Sequence, residues 1–472
     1  MKHPPSTFAL NRVRREEEIL AHPTSTTIRC QRLAFSLLAV LTLTPLAAGH
    51  EVPSEPIAVR LAREPGDGCC AKPKATADAA TCCCDSSCVH CKDFCEWWHD
   101  LGTLYSNPKN RRIQELKFIG RFHYQYGLVD GEGGGNEVNY ETDEIRRFRA
   151  GLTSKFLNYW DLYAESEISD DQRPRGGDLA IRFQHMWQLK LHFDAKKAFD
   201  LYRVDGLKFG IGSREINMSY EWVTSSKRIK TVERSAIANK IWAFNSEFAN
   251  PTGAWVITEL KPITWTFGVF STTQNDWIAP FNDGELYYSN LHWDVYDCPC
   301  GKETDFRWTA FYQDRSAGDE VLAAGLDWAT AMSVQHKQGP WESHVEGILG
   351  NNGDQSNANR GGNFWAVVVM PSYWIVDDRL EAVVRYQYQG SKESQGIRLN
   401  SRYVRRAGSR DNLPTFANGR GDEHHSVYMG LNRLICSHQH KIMAGVEYDS
   451  LYQNGNELFR GWSVFTAYRT YW

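Results

Sequence analysis

Gly461-Trp462-Ser463-Val464-Phe465-Thr466-Ala467-Tyr468-Arg469-Thr470-Tyr471-Trp472 closes the 472-residue chain. Side chains of an extended strand alternate between its two faces. Trp462, Val464, Thr466, Tyr468, Thr470 and Trp472 therefore share one face, and Ser463, Phe465, Ala467 and Arg469 the other. An aromatic-rich strand that stops on Trp472 without a tail is expected to close a barrel in a membrane. Tyr471 and Trp472 then read as the signal recognised by the barrel assembly machinery. The same alternation runs upstream. Leu116, Phe118, Gly120, Phe122, Tyr124, Tyr126 and Leu128 oppose Lys117, Ile119, Arg121, His123, Gln125 and Gly127. Ile181, Phe183, His185, Trp187, Leu189, Leu191 and Phe193 oppose Arg182, Gln184, Met186, Gln188, Lys190, His192 and Asp194.

A soluble sandwich alternates too, with its polar face in water. Three features predict the inverted arrangement, apolar towards lipid and polar towards a lumen. Strands of about ten residues fit a tilted bilayer crossing. Trp and Tyr gather at strand ends, as interfacial girdles require. Short links such as Asp377-Asp378 alternate with long ones such as 389–422. Residues 111–472 number 362, enough for roughly 16 strands with their loops, which lies in the porin range. The expected fold class is all-β: a transmembrane antiparallel β-barrel of roughly 16 strands. A secreted or surface-attached β-sandwich that stacks sugars on exposed Trp is the alternative.

Composition narrows the classes further. Mean hydropathy is −0.50, and no apolar run after residue 50 approaches the ~18–20 residues of a spanning helix. The net charge of −4 gives no case for a nucleic-acid partner. Arg29 and Arg32 precede an apolar core, Leu33 to Ala48, with small residues at its end. That order reads as a secretory signal peptide over residues 1–49. Its removal leaves 47 basic and 54 acidic residues, a net of −7.

Residues 50–110 form a second region, a Cys-rich periplasmic segment and tether. Eight of the 12 cysteines lie there: Cys69, Cys70, Cys82, Cys83, Cys84, Cys88, Cys91 and Cys95. In an exported chain this count reads first as disulfides, in any of 105 pairings. Cys84, Cys88, Cys91 and Cys95 also fall on one stripe of a helix, where they could cross-link to the preceding cysteines or hold a soft metal with His90 or His99. Cys436 and the pair Cys298 and Cys300 sit in short turns on the same rim, so cross-links between rim and segment are open as well.

Several segments together resemble the phosphate-selective porin O and P family of outer-membrane porins. They are Arg146 to Leu152, Leu207 to Glu215, Glu221 to Arg228, Val232 to Ser235, Arg420 to Asp422, Ser426 to Asn432 and Ala444 to Tyr448. The resemblance implies a trimer in outer-membrane lipid, with an inward-folded third loop lining a basic constriction. Where the family has Pro-Phe after its basic-Glu pair, this chain has Ile216-Asn217. Arg147, Arg149, Lys208, Arg214, Lys227, Arg228, Lys230 and Arg234 are the candidate anion-selectivity residues. Fixed cations offset the dehydration of a small anionic solute in a narrow pore. Solvated loop charges, and strand arginines paired with Glu165 and Glu167, are the plainer possibility. No G-x-S-x-G, H-E-x-x-H or P-loop motif is present, so neither an enzyme nor a cofactor is expected, and no metal is assigned.

Overall fold

The computed structural model describes residues 94–169, 181–242, 250–273, 279, 281, 284–298, 302–314, 325–353, 358–399, 403–404 and 419–472. The first elements are helix α1 (Phe94–Asp100) and strand β1 (Thr103–Ser106). The first half of the barrel comprises β2 (Ile113–Gly133), β3 (Asn136–Phe156), β4 (Trp160–Ser169), β5 (Ile181–Asp194), β6 (Gly206–Ser213), β7 (Thr252–Leu260), β8 (Ile263–Ser271) and β9 (Glu285–Cys298). The helix α2 (Ala195–Phe199) joins β5 to β6, and α3 (Tyr220–Val223) and α4 (Ala236–Lys240) lie between β6 and β7. The second half comprises β10 (Lys302–Gln313), β11 (Trp328–Gln338), β12 (Trp341–Asn351), β13 (Asn363–Val376), β14 (Leu380–Ser391), β17 (Glu423–Leu434), β18 (His440–Gln453) and β19 (Asn456–Tyr471). A two-residue ribbon, β15 (Ile397–Arg398) with β16 (Arg420–Gly421), sits in the loop between β14 and β17.

Each barrel strand pairs antiparallel with its neighbours, and β19 pairs with β2 along Phe459 to Tyr471, so 16 strands close without a free edge. Closure satisfies every ladder amide inside lipid, where an unpaired one costs several kcal/mol. Register is set locally by tight turns. Gly134 and Gly135, at φ 59° and 80°, make the two-residue hairpin between β2 and β3, a turn that needs positive φ at both centres.

The alternation is inverted as expected. On β12, Trp341 and Leu349 are 58% and 54% exposed on the outer face, while His344 and Glu346 are fully buried on the inner one. Trp462 and Val464 of β19 face outwards and Ser463 and Arg469 inwards. Bulges break the simple count at several places, two of them beside side chains that reach the inward loop. Opposite His123 and Tyr124, β3 carries an extra residue, Arg146; opposite Glu165 and Ser166, β5 carries Trp187. The bulge turns Trp187 into the barrel, where it is 5% exposed, and so corrects its expected place on the outer face.

Two loops fold into the lumen. The first, residues 214–251 between β6 and β7, buries Ile216, Met218, Val232, Ile237 and Ile241. The second, between β14 and β17, buries Ile397, Leu399, Tyr403 and Val404 completely. Each such side chain contributes about 1.5–3 kcal/mol on leaving water, offset in part by the entropy of ordering the loop. These residues share one apolar cluster with lumen-facing Phe270, Tyr288, Phe311 and Phe364.

Part of the 50–110 region packs on the barrel. β1 pairs with β2 across Thr103↔Lys117 and Ser106↔Glu115, and Asn107 donates its N–H to the Gln114 carbonyl at 2.8 Å. Residues 107–110 form a hydrogen-bonded turn, Asn110 donating its N–H to the Asn107 carbonyl at 3.1 Å. Cys95 forms a disulfide with Cys436, their Cα atoms 5.3 Å apart, in the turn between β17 and β18. Trp98 Nε1 donates to the Tyr471 carbonyl at 2.8 Å, and its ring meets Trp472 edge-on at 6.2 Å. Cys69, Cys70, Cys82, Cys83, Cys84, Cys88 and Cys91 lie outside the described residues, as do the signal-peptide segment 1–49 and Cys300.

Candidate pore constriction

The first inward loop crosses the barrel and is tied to the wall at many points. Tyr288 Oη donates to the Asn217 carbonyl at 3.0 Å, and the N–H of Tyr220 donates to Glu346 at 2.8 Å. Lys230 donates to Glu381 at 2.6 Å and to Ser372 at 2.7 Å, and pairs with Glu342 at 2.8 Å. Arg385 of β14 reaches Glu221 at 2.6 Å and Glu447 at 2.8 Å. Glu221 also accepts from the N–H of Ser235 at 2.8 Å. Burial alone would raise the Glu221 carboxyl, but Arg385 and Ser235 outweigh it and hold the group below its ordinary value. Short caps shape the loop: Ser219 accepts from the N–H of Trp222 and Ser235 from that of Ala238, each satisfying one exposed helix donor.

Strand arginines form a second bonded group. Arg121 is bidentate to Glu165, at 2.6 and 3.0 Å, and donates to Ser226 of the loop at 2.9 Å. Arg149 pairs with Glu167 at 2.6 Å and lies 3.3 Å over the Trp187 ring. Bulged Arg146 reaches Glu233 at 2.8 Å.

The eight candidate selectivity residues thus divide. Arg149 and Lys230 are ion-paired. Arg234 donates to the Glu221 carbonyl at 2.7 Å and to the Thr224 carbonyl at 3.2 Å, its guanidinium 3.9 Å from the Trp222 ring centre. Lys208 stands away from the others, at the short-turn end, 4.0 Å from Asp161. The remaining four, Arg147, Arg214, Lys227 and Arg228, join no ion pair among the described residues. Arg214 lies 4.9 Å from the Trp255 ring centre and Lys227 4.6 Å from that of Tyr471. Burial, and then the positive charge of Arg121, push the Lys227 ammonium down to about 8.

Arg147 is 6% exposed, and its cationic neighbours are Arg146, Arg234 and Arg149. Directly across the β2–β3 ladder stands His123, 1% exposed, both ring nitrogens without a partner. Arg469, Arg147, Arg121 and Lys441 surround it. His123 lacks the obvious charge that drew attention to its neighbours. Its signal in the sequence was its place on the inner face of β2, between Arg121 and Gln125. Lys190 of β5 is another inward cation missed, bonded to Gln188 at 2.7 Å.

A closed 16-strand antiparallel barrel, apolar outside and charged inside, with a loop folded into its bore, is a porin-type barrel. The model of the family described as phosphate-selective porin O and P matches residues 116–294. No curated protein matches the chain in sequence. Among solved structures, an anion-selective porin from Comamonas acidovorans aligns at 11% identity and TM-score 0.50, over 76% of this chain and 99% of its own. An outer membrane protein of Vibrio cholerae, OmpT lacking loop L8, aligns at 11% identity and TM-score 0.47 over the same shares. The outer membrane channel DcaP of Acinetobacter baumannii aligns at 12% and 0.46, over 76% of this chain and 97% of its own. The Comamonas barrel carries the likeness of fold.

Proposed function

We propose that the barrel is a diffusion channel for small anionic solutes, phosphate or similar oxyanions, and that Arg147, Arg214, Lys227 and Arg228 supply its preference. The observation that carries this reading is Arg147 beside His123, a buried cation whose neighbours are mostly cations. A buried charge without a partner is costly, and a passing anion relieves that cost, with the guanidinium fork matching an oxyanion in two hydrogen bonds. In this reading Lys230 ties the loop to the wall, Arg234 bonds within the loop and Arg149 braces β3 on β4. The Cys-rich segment is taken as periplasmic because α1 is bonded at the short-turn end, and the channel as a homotrimer on the family's pattern.

Reversal potentials in a salt gradient test the proposal. Arg147→Gln should move the reversal potential towards cation permeation in dilute electrolyte, where screening is weak, while thermal stability stays unchanged or rises. An unchanged potential in 0.1 M salt overturns it.

A further inference from the structure

A second group of ionisable side chains lies on the inner face of β9 and β10. His292 Nε2 is 2.8 Å from one Asp305 carboxylate oxygen and 3.2 Å from one of Asp294. One donor atom from each of the three lies within 4.8 Å of the others. Asp294 and Asp305 stand directly opposite each other in the ladder, next to a register shift at Thr304 and Asp305. Like charges at opposed strand positions destabilise a sheet, and bulges re-aim side chains where a site needs them. All three side chains keep access to water, at 25%, 52% and 27% exposure. Lys337, bonded to Glu303 at 3.1 Å, and Arg307, bonded to Asn290 at 3.0 Å, lie within electrostatic reach of the aspartates, yet neither forms an ion pair with Asp305.

The geometry points to a divalent-cation site formed by His292 Nε2 and the carboxylates of Asp294 and Asp305. Donors bound at ~2.1 Å around one ion stand about 3.4 Å apart in tetrahedral geometry, close to the two separations found here. One imidazole and two carboxylates with open positions suit a first-row ion such as Mn²⁺ or Zn²⁺ better than Ca²⁺, which takes six or more oxygens. The ion replaces the repulsion between the two aspartates with a bridge. It also cancels the two negative charges of the site, and so removes their repulsion of a passing anion.

Mn²⁺ binding to the purified full-length barrel, followed by electron paramagnetic resonance, tests the site. The wild type, Asp305→Asn and His292→Gln carry the same cysteines, so differences among them isolate the triad. Both variants should lose one bound Mn²⁺ per chain, or bind it at least about tenfold more weakly, the loss caused even by removing an outer-shell partner of a ligand. Retained heat-modifiable gel migration verifies that each variant has folded. If either folded variant binds Mn²⁺ as the wild type does, the three residues are a hydrogen-bonded cluster and no metal site.

Discussion

Two sets of charge sit inside this barrel, and they are treated in opposite ways. Arg121, Arg149, Lys230 and Arg385 each meet a carboxylate within 2.8 Å; Arg121, Lys230 and Arg385 tie the inward loop to the wall, and Arg149 braces β3 on β4. Arg147, Arg214, Lys227 and Arg228 meet none among the described residues. The first set is neutralised by carboxylates, and in the proposed reading the second leaves its field to a solute. Counting lysines and arginines does not distinguish them; the partner across the lumen does.

The sharpest way to break this division is Arg385→Leu. It leaves Glu221 and Glu447 buried without their cation, a loss of about 3–5 kcal/mol for a broken buried pair. Thermal unfolding should fall by many degrees, and single-channel records should become noisy as the loop loosens. Unchanged stability would show that the loop is anchored by its apolar residues alone. Next in size, Arg214, Lys227 and Arg228 replaced together by Gln should move the reversal potential towards cation permeation at low salt, with a smaller change at 1 M, where the Debye length is ~3 Å. No shift at low salt would place these three outside the ion path.

A smaller effect separates one member of the second set. With its ammonium down at about 8, Lys227 is charged below that pH and neutral above it. Anion preference should therefore decline as pH rises from about 7 to about 9, and Lys227→Gln should flatten that part of the profile. A slope that survives the substitution assigns the titration to another group. The smallest change is expected from Lys208→Gln. Its ammonium is partly solvated and sits at 4.0 Å from Asp161, so low-salt selectivity should move by less than the error of the reversal measurement. A large shift would bring the short-turn mouth into the selectivity region.

The strands were legible because a bilayer demands a two-residue period over whole segments, and Leu116–Leu128 and Gly461–Trp472 keep it. The period loses information wherever a bulge inserts a residue, which is why Trp187 and Arg146 were misplaced or passed over. The site was legible only as composition: basic residues in and beside one long loop. Which cations stay unpaired depends on residues more than 100 positions away, as with Arg385 and Glu221, and no local pattern encodes that. The second inward loop was hidden for a related reason. Ile397, Leu399, Tyr403 and Val404 are interrupted by arginines, and a stretch of mixed polarity reads as solvated until its partners Gln125 and Glu144 are seen to receive it, the Tyr403 hydroxyl 2.6 Å from Gln125 and 2.9 Å from Glu144.

The bond between Cys95 and Cys436 has one more implication. Its two ends come from the beginning and near the end of the described chain, 341 residues apart, and the helix that carries Cys95 rests on Tyr471 and Trp472, where β19 meets β2. One covalent bond thus joins the first described helix to the turn between β17 and β18, beside the seam where the last strand meets the first.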